Sequence, residues 1–404
     1  IKKLFGNTRE GINLARALQT SFDLSAVFRQ GGFVALGRPV LAAKSIVPML
    51  KAFANEKNAF KVQEEIAHRP NARLYEKSGL ELTKSNDHHL TKLEEQYMSR
   101  WIGKLPTVLG GGLVRGSERA FKTFLNKLRA DTFDALAGSL SKSGTPTLEE
   151  AKAIANYINV ATGRGHIGVK GSGAVGLNTL FFAPRLVASR FNLLAGQPLY
   201  GGTARTRKLI AKEYARYLMG ISVVYTLGAM AHAAVGDKDK FVETDPRSSN
   251  FGKMKFGNTY IDPLSGMSQV IALLGKEAAG ETKTQKGKIS PLRKEYKLTN
   301  LFRDKPDYSE PKYGQPTAAD TALNFARTKL APIPGTTLNV AAGKNVIGQP
   351  TTPAQEAKNL VTPLSFQNVA GVMKENGIAG GSAITLLELL GMGVNYRDPN
   401  QKWK

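Results

Sequence analysis

Ser117-Glu-Arg-Ala-Phe-Lys-Thr-Phe-Leu-Asn-Lys-Leu-Arg-Ala-Asp-Thr-Phe-Asp-Ala-Leu-Ala-Gly-Ser-Leu140, followed after six residues by Thr147-Leu-Glu-Glu150, reads as the body of one amphipathic helix and the start of the next. Phe121, Phe124, Leu125 and Leu128 recur at i, i+3, i+4 and i+7, and Leu136 continues the stripe. Ser117 predicts an N-cap and Glu118 suits the positive end of the helix dipole. Thr147 and Glu150 form a capping box, in which a hydroxyl and a carboxylate each satisfy an amide that a helix start leaves open. Ala151, Ile154, Ala155 and Ile158 then line one face, and Gly163 stops the run. Helix packed on helix is the architecture this predicts.

Outward from this pair, the periodicity stays helical. Leu14, Ala17, Leu18 and Phe22, then Val27 and Phe28, form a stripe broken at Gly31-Gly32, and Ala42 to Phe60 resumes it through Ile46, Met49, Leu50 and Phe53. Residues 69–90 are polar and punctuated and read as a surface connection; Leu90 to Trp101 is short and amphipathic. A basic helix is expected over Arg205 to Arg216, followed by an uncharged stretch, Tyr217 to Gly236. The one strand signal is a small hairpin, Met254–Phe256 and Thr259–Ile261 around Gly257-Asn258. Three short helices close the chain, from Thr317 to Leu330, from Thr352-Pro353, and from Ser365 to Asn376 with Gly377 past its end; an apolar segment follows from Ile384 to Val394. The expected organisation is a mostly α, multi-helix, non-compact or elongated chain. It has an N-terminal helical region (1–150), a basic Gly-rich helical region (151–280), an extended Lys- and Pro-containing linker (281–316) and a C-terminal short-helix region (317–404).

Composition excludes several function classes. The 404 residues carry 56 Lys and Arg against 32 Asp and Glu, a net charge of +24, and the pI is about 10.0. The chain has no cysteine, which removes disulfides, Cys-based zinc sites, iron–sulfur clusters and thiol nucleophiles. A mean hydropathy of −0.24 does not fit a polytopic membrane protein. The chain begins with Ile1 and opens on no signal peptide, so it reads as a piece of something longer. Its charge is unevenly placed: residues 151–216 hold ten Lys and Arg and one acidic residue, with no Asp or Glu from Ala151 to Lys212. Such a block is expected to face a polyanion or an apolar partner, or else to be a buried segment whose arginines cap helix ends.

Motifs for chemistry are sparse. Gly163-Arg-Gly165-His-Ile-Gly168 matches the dinucleotide fingerprint, but a capped helix, not a strand, precedes it, and the next acidic residue is Glu213. A close-packed turn is the expected reading, and no cofactor is predicted. The five histidines, His68, His88, His89, His166 and His232, have no metal-ligand spacing, so no metal is predicted. Glu388, alone between Leu387 and Leu389, is expected at a helix rim. No catalytic residue is expected.

Tyr217–Gly236 is the sharpest physical signal. Twenty uncharged residues reach the length that a bilayer core requires. Gly220, Gly228 and Gly236 recur every eight residues and permit close helix contact. Tyr217, Gly220, Val224, Leu227, Gly228, Ala231 and Val235 are the candidate membrane or helix-interface residues. The stretch also reads as a buried core helix, the favoured of the two readings. Arg164, Lys170, Arg185, Arg190, Arg205, Arg207, Lys208, Lys212 and Arg216 are candidates to line a DNA path or a ring lumen. No base-reading motif accompanies them, so contact with double-stranded DNA would be independent of sequence.

Several segments together resemble a known group. Ala161-Thr-Gly-Arg-Gly165 is followed by Leu180-Phe-Phe-Ala-Pro-Arg-Leu-Val-Ala-Ser-Arg190, by Thr244-Asp-Pro-Arg-Ser-Ser-Asn-Phe-Gly-Lys253 and by Ile261-Asp-Pro-Leu-Ser-Gly266. Phe325-Ala-Arg-Thr-Lys-Leu-Ala-Pro332, Gly348-Gln-Pro350 and Val361-Thr-Pro-Leu364 complete the order. Over residues 150–396 the chain resembles the C-terminal region of large phage and prophage polyvalent proteins, a class that includes the internal virion, or ejection, proteins of short-tailed bacteriophages. Residues 1–150 carry no such resemblance. The resemblance implies a non-enzymatic virion role: packed in the capsid interior, expelled with the genome, and assembled as a homo-oligomer with other ejection or portal proteins into a DNA conduit in the host envelope, in contact with the inner membrane. The alternative is a non-specific DNA-binding or DNA-protecting protein, anti-restriction-like, delivered with phage DNA.

Overall fold

The computed structural model describes residues 24–83, 111–168, 176–177, 179–284, 287–292, 316–345, 350–362 and 366–397. Helices dominate. In chain order they are α1 (Gly32–Gly37), α2 (Pro39–Ala54), α3 (Glu56–Ala67), α4 (Ala72–Ser78), α5 (Gly111–Ser141), α6 (Leu148–Ala161), α7 (Pro184–Leu194), α8 (Ala204–Ala234), α9 (Met267–Ala279), α10 (Ala318–Arg327), α11 (Pro332–Ala342), α12 (Pro353–Val361) and α13 (Val369–Leu389). The expected helix over Leu90–Trp101 and the stripe from Leu14 to Phe22 lie outside the described residues.

Helix α5 is the axis of the main core. Phe124, Leu125, Leu128, Phe133 and Leu136 are fully buried, packed by α2, α3 and α6. Truncating one such side chain to Ala costs about 2–5 kcal/mol, from lost transfer and the cavity left behind. The helix starts six residues before the expected cap. Val114 is buried, and Gly116 lies so close to α2 that a Cβ would sit 2.9 Å from the Phe53 carbonyl oxygen. This packing carries the helix through Ser117, whose hydroxyl has no hydrogen-bond partner among the described residues. The capping box of α6 forms as expected, with Thr147 N–H donating to Glu150 Oε2 (2.9 Å) and Glu150 N–H to Thr147 Oγ1 (3.3 Å). Core residues come from both sides of position 150.

Residues 69–90 are not merely a connection: α4 lies within them, and its Tyr75 is buried against Phe133 with ring centroids 5.1 Å apart. The basic helix and the uncharged stretch are one continuous helix, α8, capped by Thr203. Gly377 ends the first part of α13 as expected, with φ 69°, and the chain then resumes a helix through the apolar segment. Helix α11 was not among the expected helices; Pro332 opens it and Gly343, with φ 63°, closes it.

The hairpin forms as β1 (Met254–Phe256) and β2 (Thr259–Asp262), with Met254 opposite Ile261. It is not the sole β structure. A distant strand, β5 (Gly393–Tyr396), pairs antiparallel with β2, Val394 facing Ile261. This sheet carries a second, small core of Met254, Ile261, Val372, Ile384, Met392 and Val394. Strands β3 (Glu281–Lys283) and β4 (Ile289–Pro291) pair inside the expected extended linker, most of which lies outside the described residues.

Candidate functional site

The arginines of the acid-free block turn inward. Arg185, on α7, clamps Glu81 through two bonds, Nη1 to Oε2 (2.9 Å) and Nη2 to Oε1 (2.7 Å). Arg164, 3 % exposed, bonds the same carboxylate and the Thr83 hydroxyl. Arg129, from α5, reaches the Glu81 carbonyl oxygen (3.3 Å) and the Thr162 carbonyl oxygen that ends α6 (3.1 Å). Burial alone would raise the Glu81 carboxyl, but the Arg185 bonds and the fields of Arg164 and Arg129 hold it below the ordinary carboxylate range.

The same pattern repeats twice. Arg205 Nε and Nη2 bond Glu150 at 2.5 and 2.6 Å, and Thr203 Oγ1 donates to Glu150 at 2.6 Å. Arg205, despite burial of the carboxyl, brings Glu150 down to about 2. Glu213 is gripped by Arg38 from two sides, at 2.5 and 2.7 Å, and by Arg216. Arg190 is buried in the interior. The expectation of a DNA path is therefore corrected for Arg164, Arg185 and Arg190, which are engaged inside the fold; Arg205 and Arg216 pair with Glu150 and Glu213, and their side chains stay 33 % and 41 % exposed. Of the rest, Arg207, Lys208 and Lys212 are exposed on α8, and Lys170 lies outside the described residues.

The fingerprint-like segment is a packed turn. Gly165 N–H donates to the Arg185 carbonyl oxygen (3.1 Å), and a Cβ there would sit 2.2 Å from the Ser189 nitrogen. Among the described residues, no group of three or more His, Asp and Glu could hold a metal ion.

Helix α8 is the exposed feature with the strongest physical character. Its inner side is well partnered. Tyr217 stacks on Phe33 with centroids 4.2 Å apart, Ile221 is buried, and Tyr225 Oη donates to the Gly252 carbonyl oxygen (2.6 Å). Gly220 meets the backbone of α1: a Cβ would lie 2.1 Å from the Leu36 oxygen. Gly228 abuts Met254 and Phe241. Gly236, with φ 70°, ends the helix in open space and packs on nothing. Of the candidate interface residues, Tyr217, Gly220, Val224 and Gly228 thus serve the chain's own fold, whereas Leu227, Ala231 and Val235 are exposed. The buried-core-helix reading holds for this inner side alone.

The outer side is apolar and uncovered. Leu218, Met219, Val223, Leu227 and Met230 are 57–65 % exposed. Met219, Val223, Leu227 and Met230, spaced by four, four and three residues, lie in one stripe about 16 Å long at 1.5 Å rise per residue, and Leu218 flanks it. The most apolar 18-residue window of α8 has a mean hydropathy of 1.3 and is only 17 % buried. Toward the N-terminus the exposed side changes character to Arg207, Lys208 and Lys212. Leu218, Met219, Val223 and Met230 were not singled out from sequence, because an uncharged helix shows no polar side by which to tell inside from outside. Comparison with protein-family models, curated proteins and solved structures finds no match.

Proposed function

We propose that the chain is a structural, non-enzymatic component of a bacteriophage ejection apparatus, working through association and not through chemistry. The observation that carries this reading is the outer side of α8: an exposed apolar stripe on a helix whose inner side is fixed to the fold, continued by three exposed cations. Monomeric soluble proteins seldom expose a contiguous apolar stripe of this kind; it marks a surface meant for another protein or for lipid. Basic residues followed by apolar ones match a helix that meets anionic headgroups first and hydrocarbon second. In this reading the chain leaves the capsid with the genome, associates with further copies and with ejection or portal proteins, and contributes to a DNA conduit at the host inner membrane.

The DNA-protecting alternative relied on the basic block, four of whose guanidinium groups, those of Arg164, Arg185, Arg205 and Arg216, pair with Glu81, Glu150 and Glu213. The native mass of the purified chain, read with its 260/280 absorbance ratio, separates the two. A closed oligomer free of nucleic acid is expected. A monomer that carries DNA and releases it as salt rises contradicts the proposal.

A further inference from the structure

A cleft of about 490 Å³ opens between α7, the start of α9, the α10–α11 connection and β5. That volume lies in the range of small-molecule sites. Its walls include two cations, Arg190 and Lys329, that contact no carboxylate among the described residues. Arg190, 3 % exposed, donates Nε to the Ser265 carbonyl oxygen (2.8 Å), Nη1 to Ser189 Oγ (3.4 Å) and Nη2 to the Arg29 carbonyl oxygen. All three acceptors are neutral, and two of the five guanidinium N–H groups remain unused. Lys329 donates to Gln269 Oε1 and lies 5.1 Å from the centroid of the Phe325 ring. Neither side chain has an ion-pair partner among the described residues.

The electrostatics agree. The Lys329 ammonium falls to about 8, because burial, reinforced by Lys253, Arg190 and Arg29, outweighs the attraction of Asp262. The residue as a whole is half-buried. Asp262, whose field reaches both cations, is already held by the Leu264 N–H (2.9 Å) and the Ser268 hydroxyl. Glu388 also lines the cleft and is 6 % exposed. Its Oε1 accepts from Asn368 Nδ2 (3.0 Å), while its Oε2 has no partner among the described residues. An uncompensated buried charge is costly, and an unpaired buried polar atom adds to that cost. Leu186 and Phe325 add apolar wall.

The geometry points to a binding site for a small molecule that carries an oxyanion, phosphate or carboxylate, on an apolar or aromatic body. The oxyanion accepts from Lys329 and from the unused N–H groups of Arg190. The body lies against Leu186 and Phe325, and Glu388 Oε2 meets a second polar group of the same ligand. This site stands apart from α8 and does not rest on the ejection reading.

The test is calorimetric titration of the intact chain, at constant ionic strength, with phenyl phosphate, benzoate and inorganic phosphate. Saturable one-to-one binding of at least one aromatic anion is expected, at least tenfold tighter than inorganic phosphate. The comparison of phenyl phosphate with benzoate identifies the oxyanion. Lys329→Gln, with its melting temperature retained, is expected to weaken binding at least tenfold. Should that variant fail to fold, the wild-type chain is acetylated with and without saturating ligand, and selective protection of Lys329 in the peptide map is expected. No binding of either aromatic anion at millimolar concentration, unchanged affinity in Lys329→Gln, or equal acetylation of Lys329 overturns the inference.

Discussion

Arg185 and Glu81, 104 residues apart in sequence, meet in a two-point ion pair of 2.7 and 2.9 Å. Arg164 and Arg129 close on the same residue, so Glu81, through its carboxylate and its backbone carbonyl oxygen, ties α5, α7, the end of α6 and the segment after α4 into a single joint. The pair explains why a stretch without acids does not repel itself: its counter-charges come from Glu81 and Glu150 upstream of it and from Glu213 at its end.

Replacing Glu81 by Gln keeps the shape but removes the anion that Arg164 and Arg185 share. Breaking a buried pair from one side costs about 3–5 kcal/mol, and the partial exposure of Glu81 reduces this to about 2–3 kcal/mol. Urea unfolding is expected to show that loss, and Arg185→Met combined with Glu81→Gln is expected to recover part of it.

Acid should loosen the α6–α8 corner. The folded Glu150 carboxyl lies at about 2, below its ordinary 4.5, so the folded state favours its ionised form. Its contribution is fully present above pH 4.5 and is lost as pH falls toward 2. Melting temperature measured from pH 6 to pH 2 is expected to fall less in Glu150→Gln than in the wild type, since the variant has no such proton to take up.

Glu388 carries the opposite sign. Burial pushes its carboxyl up to about 7, against the Asn368 bond and the field of Arg29. The folded state therefore favours the protonated form. The contribution is present below pH 4.5 and is lost as pH rises through 7. Glu388→Gln, which keeps the acceptor for Asn368, is expected to be neutral at pH 4 and more stable than wild type by about 2–3 kcal/mol at pH 8. Equal stability of the two chains at both pH values would contradict this account of the residue.

Two glycines of α8 should respond differently to one methyl group. At Gly220 the new Cβ meets a backbone oxygen, which cannot move without shifting α1. At Gly228 it meets Met254 Sδ at 2.6 Å and the far edge of the Phe241 ring, both ends of side chains that can turn. Gly220→Ala is expected to cost about 3 kcal/mol and Gly228→Ala about 1 kcal/mol, read as denaturation midpoints.

Much of the helical frame was legible in sequence because its signals are local. Thr147 and Glu150 cap within one turn, Phe121 to Leu136 show their side by spacing, and Met254 to Ile261 fold back across two residues. What was not legible is set by distance along the chain. Gly393–Tyr396 is four residues without alternation, and it becomes a strand because Thr259–Asp262 offers an open edge. The arginines gave a correct charge count and the wrong destination, since nothing near Arg185 in sequence marks Glu81 as its partner. Glu388 was noticed but misplaced: it is not at a rim, because the side of α13 that carries it is covered by Asn368 and the β5 strand. The cleft had no sequence signature, as Arg190, Asp262, Lys329 and Glu388 come from four separate segments.

The central claim is that the outer side of α8 is built for association. The chain lacks cysteine, so one introduced thiol is a unique probe. Leu227→Cys on the outer side, and Lys238→Cys beyond the helix end as a control, would each carry a polarity-sensitive fluorophore. Each labelled chain is mixed with vesicles of phosphatidylglycerol and phosphatidylcholine. The account predicts that the label at position 227 moves to a less polar environment, with vesicles or on self-association as concentration rises, while the label at position 238 does not. A label at 227 that stays in water under both conditions would contradict it.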